Sequence, residues 1–537
     1  MKKIMRNSMK RVAATFMALV VSVGALGGCG KKADDSVASN GRSIKVYAPV
    51  SGTGEDWLNN AAKEYERRTG TKVNVQFDAL LGQNLANLLS TTGGDKADIY
   101  ISDSPEWYQW AMNGFLVDVT DFMNEKGENG QSLNERLKMG KRYFLDEEGN
   151  EKQYVVPMGC SATGFAYNKK MMNYLCHDVL GWEKGHDYPY STKELKEVIN
   201  ALNDITAKGE NTELFSYTQD GKTEDVKAFV WSGVVGMLEF AANAWFAQYW
   251  GEEGLLEFYN QWENCDLYKD DAYYYVFQTL SDVLDIKKNE NGDYYSENSI
   301  PNCISFNHTE SQSQFLRNKA LLCPTGSWFY SEMGSVIEGD ENVGFMPVPY
   351  MSDDAGNPIT AEGVELEKNE DGTYKSVIAM NRPGFYLIPS DSKNQEDAKD
   401  FLHFLLSEEY LPVVEEDQQS PVGYICADSE VEKNLWFQSV EEALDRSTAS
   451  DVFTPCKLML YGRISFGFVS SPYTKLVMGE FGSSEKMIDS ATGSAIREGT
   501  AVTGVAVSEN VYNYVQENYR KAVEEWPNLI NLVGGKK

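Results

Sequence analysis

Histidine is scarce in this chain of 537 residues. His177, His186, His308 and His403 are the whole complement, and they form no ligand-spaced set. Cys-x-x-Cys pairs are missing too, so neither a His-rich metal centre nor a zinc site is supported. Basic residues are in short supply: 49 Lys and Arg stand against 80 Asp and Glu, a net charge of −31. The positive footprint that nucleic-acid binding needs is therefore absent at the level of the whole chain. The signatures HExxH, GxSxG and GxxxxGK[ST] do not occur. Gly159-Cys160-Ser161-Ala162-Thr163 approximates a nucleophile elbow but lacks its second glycine. What remains is an ordinary globular composition, 42% hydrophobic and 24% charged, with a mean hydropathy of −0.43. These values exclude long disorder and a multi-span membrane protein. The length exceeds what one core of roughly 250 to 300 residues organises, so two or more lobes are expected. Aromatics are the excess, with 30 Tyr, 24 Phe and 11 Trp.

The first thirty residues set the compartment. Lys2, Lys3, Arg6, Lys10 and Arg11 occur without an acid among residues 1–11, and residues 12–26 form an apolar run. A basic start before a short apolar stretch is an export signal, too short to span a bilayer comfortably. It ends in Ala25-Leu26-Gly27-Gly28-Cys29, which resembles the bacterial lipoprotein cleavage box, with the Cys29 thiol taking the lipid. Residues 1–28 are the expected signal peptide, and their removal makes the chain more acidic still. Residues 29–42 are small and polar, a flexible tether between lipid and body. The expected location is extracytoplasmic, anchored by lipid to the outer face of the cell membrane. Seven further cysteines, Cys160, Cys176, Cys265, Cys303, Cys323, Cys426 and Cys456, are odd in number and scattered. They are no disulfide framework, and buried free thiols are expected, with one bridge left open.

The body opens with an α/β pattern. Residues 43–48 read as a strand, 56–68 as a helix ended by Gly70, 71–77 as a second strand, 84–90 as a helix and 97–101 as a third strand. Strands alternating with helices predict a largely parallel sheet. Ligands in such sheets sit at the carboxyl ends of strands, which directs attention to the loops at 50–55 and 102–107.

Several segments then recur in a recognisable order: Ala97-Asp98-Ile99-Tyr100-Ile101, residues 114–120 (GFLVDVT), 146–158 (DEEGNEKQYVVPM), 164–170 (GFAYNKK), 318–328 (NKALLCPTGSW), and 384–389 followed by 398–406 (AKDFLHFLL). Together they resemble the family 1 extracellular solute-binding proteins of ABC importers, the maltose-binding-like group. Residues 205–300 and the last hundred match poorly, and Cys323 stands where the family usually has Met. The resemblance implies an α/β, two-lobe, periplasmic-binding-protein-like fold of type II, with interleaved lobes around a hinge and a ligand cleft between them. Placed on this sequence, lobe one is 43–157 plus 376–420 and lobe two is 158–375 plus 421–537. The crossings then fall near Pro157, Ser376 and Pro421. Turns at Glu148-Gly149-Asn150, Asn291-Gly292 and Asp371-Gly372 read as surface elaboration.

The resemblance also directs attention to contact residues. Trp328 follows Thr325-Gly326-Ser327, small residues that let the chain turn and expose an indole. In maltose-binding relatives the corresponding Trp stacks on a sugar ring; the alternative is a core Trp beneath the loop. Tyr330 can line the same wall. In lobe one, Ser102 occupies a place where the family often has an aromatic. Asp103 and Glu106 are acceptors suited to sugar hydroxyls, and Trp107 either stacks on ligand or supplies the apolar face of its helix. Ser161 and Thr163 lie just past the first crossing, where relatives point a polar or acidic residue into the cleft. Gly384 and Phe385 follow the second crossing, with Arg382 nearby. Glu239, Asn243 and Trp245, in an aromatic-rich stretch, are either lobe-two contacts or core, and Tyr473 is a further candidate.

Two functions follow. One is a non-enzymatic binding protein that captures a carbohydrate, an oligosaccharide above others, by lobe closure and delivers it to permease subunits of an ABC importer. It would be a monomer, without cofactor or metal, touching the membrane only through its lipid. The other is a secreted glycosidase, since 80 acids leave room for a carboxylate pair. Among binding proteins a polyamine clamp would use the same carboxylates and aromatics. The ordered motifs favour sugar capture.

Overall fold

A computed structural model describes residues 38–450 apart from 51–54, 92–95, 103–106, 128–129, 137–142, 146–149, 159–160, 233–236, 261–270, 289–293, 302, 331, 334–341, 382–383 and 408–434. Cys29, Asp103, Glu106, Arg382, Tyr473 and the cysteines 160, 265, 426 and 456 lie outside the described residues.

Strand β1 (Ser43–Pro49) turns Ile44, Val46 and Ala48 to one side, as a two-residue repeat requires. Helix α1 (Asp56–Thr69) buries Trp57, Leu58, Ala61 and Tyr65 against that side. It ends where Gly70, at φ 74°, donates its N–H to Glu66 O at 2.8 Å. Strand β2 (Lys72–Asp78) pairs in parallel with β1. Helix α2 (Leu81–Ser90) places Leu81, Leu85 and Leu89 on one stripe. Strand β3 (Ile99–Ser102) lies parallel to β1 on its other edge. After the short helix α3 (Trp107–Met112) and strand β4 (Val156–Pro157), the chain crosses into a second sheet.

That second body begins with β5 (Ser161–Asn168). Helix α4 (Thr192–Lys208) follows, closed by a capping box in which Ser191 accepts from Glu194 N and the Glu194 side chain accepts from the Ser191 N–H. Then come β6 (Lys227–Phe229), α5 (Glu239–Asn260, broken at Gly251), α6 (Asp271–Leu284), α7 (His308–Leu316), β7 (Ala320–Gly326), β8 (Val343–Met346) and β9 (Ser376–Asn381). The chain returns to the first sheet as β10 (Phe385–Leu387) and packs α8 (Gln395–Leu405) against it. It reappears in the second as α9 (Leu435–Asp445) and β11 (Ser447–Ser450).

The first sheet runs β2-β1-β3-β10-β4 and the second β6-β7-β5-β9-β11, with β8 also on β5. The sheets are mixed, not largely parallel. The first three strands are parallel as their helical crossovers demand, but β10 is antiparallel to both β3 and β4. In the second sheet β5 is antiparallel to β7, β8 and β9. The reason is local. A chain that leaves one sheet and later comes back beside its own exit must run the opposite way.

This places the second crossing later than the sequence suggested. Residues 376–381 are a strand of the second sheet, so the passage falls at 382–384 instead of near Ser376. The first passage follows Pro157 and Met158, and the expected third near Pro421 lies outside the described residues. The two described passages are neighbours. Pro157 pairs with Phe385 and Val156 with Tyr386 on one side, while Ser161 pairs with Asn381 and Ala162 with Met380 on the other. Between them Met158 N donates to Gly384 O at 2.8 Å. The pairing register is the same on both sides, and these described pairs, residues 159–160 and 382–383 apart, form an antiparallel ribbon between the two sheets.

Candidate functional site

Most of the described sequence candidates gather around that ribbon. Ser102, at the carboxyl end of β3, pairs with Phe385, which pairs in turn with Pro157. Trp107 opens α3 just beyond and its ring lies 6.3 Å from that of Phe385. Across the passage, Ser161 pairs with Asn381 and Thr163 with Gly326, the last residue of β7. Ser327 N then donates to Ala162 O at 2.9 Å, two residues after the crossing passage. The turn carrying Trp328 is thus anchored on the crossing strand itself.

Trp328 is half-buried, as a platform with one wet face must be. Its six-membered ring lies over Gly326, where a Cβ would come within 2.0 Å of Cζ3. The ring of Phe240, from α5, meets it at 5.5 Å and 76°, an edge-to-face contact. Behind the turn, the buried Trp436 of α9 donates its indole N–H to Ser327 O at 3.1 Å, and Phe329 packs 5.1 Å from the Trp436 ring. The peptide before Trp328 is therefore held from two sides by core elements. Tyr330, two residues on, is partly buried against the same core.

Other candidates are packed away. Trp107 is 3% exposed and sits in the apolar cluster with Tyr100 and Trp110. Trp245 is 1% exposed, its indole N–H donating to Pro349 O at 2.9 Å. Phe385 is buried beside Trp107. Thr163 is buried, and its hydroxyl donates to Ala379 O at 2.5 Å, tying β5 to β9. Gly384 allows close approach: a Cβ there would meet Met158 Sδ at 2.7 Å. Asn243 is buried in α5, with no partner for its Oδ1. Glu239 begins α5. Among the described sequence candidates, Trp328, Tyr330, Ser161 and Gly384 are partly exposed, whereas Ser102 is buried.

Sequence reasoning passed over the neighbours of Trp328. Phe240 supports the indole, and Glu332 N donates to Trp328 O at 3.2 Å, closing one helical turn. The Glu332 carboxylate is 13% exposed. It accepts from Gln312 Nε2 of α7 at 2.6 Å, and His308 Nε2 stands 3.8 Å away. Burial raises Glu332 above the ordinary carboxylate range, while the Gln312 amide and His308 pull the other way. The Trp-x-x-x-Glu spacing was the available signal, because residues four apart share a helix face.

Cys176, Cys303 and Cys323 are buried free thiols, each pushed up by burial, Cys303 to about 12. Among the described residues no group of three or more His, Cys, Asp and Glu side chains could hold a metal, and no helix is long and apolar enough to cross a membrane.

The family model of the bacterial extracellular solute-binding proteins matches residues 51–411. The chain belongs to that family. A curated relative, the diacetylchitobiose binding protein DasA of Streptomyces coelicolor, is 31% identical over 170 residues. That match spans 30% of this chain and 37% of the relative's length. Solved structures share the two-lobe fold at 17% identity. The SBP RafE in complex with raffinose has a TM-score of 0.51, with 90% of this chain and 99% of that one covered. The apo form of RafE from Streptococcus pneumoniae reaches 0.55 over 91% and 99%. A chitin oligosaccharide binding protein reaches 0.52 over 90% and 100%. The family is extracellular by description, and the relatives compared are binding proteins.

Proposed function

We propose that this solute-binding protein captures an oligosaccharide between its lobes, holds it by stacking on Trp328, and presents it to the permease subunits of an ABC importer. The observation that carries the reading is the half-buried Trp328 indole, fixed over Gly326 and anchored to the crossing strand through Ser327. A flat apolar face at the hinge suits the C–H face of a pyranose, and contacts made only on closing couple binding to lobe movement. The names of the relatives support a sugar over a polyamine. Export by residues 1–28 and a lipid on Cys29 would keep the protein on the outer face of the membrane, beside its permease.

Calorimetry with N,N′-diacetylchitobiose, longer chitin oligosaccharides, raffinose and spermidine tests the reading. One of the sugars should bind stoichiometrically and be recovered intact. Trp328→Ala should weaken it by about 2 kcal/mol or more, roughly 30-fold, at unchanged melting temperature. Hydrolysed sugar would point to a glycosidase, and binding of spermidine alone would replace the ligand class.

A further inference from the structure

Phe329 and Met333 face the core from the turn after β7, and Phe329 packs on Trp436 and Phe315. Trp328 and Glu332 occupy the other line of the same turn, joined by the Glu332 N–H to Trp328 O bond. Side chains so spaced on a helical turn lie about 5–6 Å apart at Cβ, less than the width of one pyranose ring with its hydroxyls. A ring stacked on the indole therefore brings its edge towards the carboxylate. The carboxylate is held ready: Gln312 Nε2 donates to Oε2 at 2.6 Å, leaving Oε1 with the more distant His308 at 3.8 Å. Gln312 itself is fully buried, and its own Oε1 has no partner. An amide buried with one atom unpartnered is costly in a folded chain. Here it fixes an acid beside the platform.

We propose that Glu332 is a specificity-determining residue of the Trp328 site, accepting hydrogen bonds from hydroxyls on the edge of the sugar stacked on that indole. The inference rests on the sugar reading above. An ionised carboxylate accepts from two vicinal hydroxyls, whereas a protonated one offers a donor in place of an acceptor. Affinity should therefore fall as pH is lowered, and the fall should begin above the ordinary carboxylate range because burial raises Glu332. Among the described residues the other titratable groups facing it are His308 of α7 and Cys323 of β7. Burial keeps the Cys323 thiol protonated throughout.

The test is calorimetry from about pH 8 to about pH 5 on the wild type, Glu332→Gln, His308→Gln and Trp328→Ala, with whichever of N,N′-diacetylchitobiose and raffinose the wild type binds. Glu332→Gln keeps the shape and the contact with Gln312 and removes a buried charge, so it should fold with an undiminished melting temperature. It should bind at least about tenfold more weakly at pH 8 and lose the pH response. His308→Gln should keep that response. Wild-type affinity in Glu332→Gln, or a pH response that disappears only with His308, overturns the assignment. Loss of binding in Trp328→Ala beside an unaffected Glu332→Gln would leave the sugar reading standing and remove Glu332 alone. A wild type that binds neither sugar defeats both.

Discussion

Gly326 decides where the Trp328 indole can lie. Its backbone is not in the left-handed region, so alanine there meets no strain of its own and only the ring has to move. Gly326→Ala should therefore displace the indole, cost about 1–3 kcal/mol of stability by overpacking, and lower sugar affinity towards that of Trp328→Ala. Affinity measured by calorimetry and left at the wild-type level would show that the ring binds equally well from another perch. The small residues before Trp328 were legible as a turn, but their separate duties were not. Thr325 is buried within β7, Gly326 makes room for the ring, and the Ser327 peptide is clasped by Ala162 and Trp436. Glu332 was hidden for a different reason: one acid among 80 carries no mark of burial. Trp245 was ambiguous because residues 241–250 are buried throughout, so no polar face distinguishes core from cleft.

At the scale of elements, the segment leading into α4 is a stack of flat groups. His186 lies between Trp182 at 4.3 Å and Tyr190 at 4.2 Å, nearly parallel to both. Arg446, just past α9, covers the Tyr190 ring at 4.7 Å and bonds Asp371 at 2.8 Å. Three segments distant in sequence are thereby pinned together. In the same segment His177 faces an acceptor at each nitrogen, Trp182 O at 3.0 Å from Nδ1 and Asp187 Oδ1 at 2.8 Å from Nε2, so the doubly protonated ring donates to both. The Trp182 carbonyl, and after it Asp187, raise His177 above its ordinary value. A raised pKa stabilises the folded state fully below the unfolded value and loses that contribution as pH rises through the folded one. Stability, followed through the melting temperature, should thus decline slightly as pH rises through and just above the ordinary histidine range, by no more than about 1 kcal/mol for so exposed a pair. His177→Ala should flatten that step; an identical profile in the variant would assign it elsewhere.

Turn chemistry was the most readable part of these elements. The turn at 371–372 brings Lys368 and Tyr374 into an antiparallel bridge, whereas the expected turns at 148–150 and 291–292 fall wholly or partly outside the described residues, between the antiparallel pairs Phe144–Leu145 with Glu151–Lys152 and Ile286–Lys288 with Tyr294–Ser296. Asp220-Gly221, at φ 51° and 77°, makes another turn between Ser216–Gln219 and Lys222–Asp225, an equally plain signal that was passed over. The second crossing was misplaced because strand residues 376–381 look the same in either sheet, whereas the Pro383-Gly384 pair marks the break in sequence.

For the whole molecule, the interleaving matters more than either lobe. The first sheet takes β10 from beyond residue 384 as the partner of both β3 and β4, so its fold depends on chain that has already built the second. The apolar cluster is continuous across the passage, from Tyr100, Trp107 and Phe385 to Ala162 and Phe165. The proposed closure would then happen around the ribbon without opening that cluster. Small-angle scattering should show a smaller radius of gyration on adding the bound sugar, and no change for Trp328→Ala at the same concentration. A contraction that persists in the variant would mean that closure is independent of the platform.

The ribbon also limits how the lobes can move. Two strands in register cannot slip past one another by a single residue without turning every side chain to the opposite face. Met158–Gly384 and the flanking pairs therefore behave like the meshed teeth of a gear, free to rock but not to skip. Each cycle of the proposed closure would return the Trp328 wall to the same alignment with lobe one, so the closed clamp would keep one shape however many times it has turned.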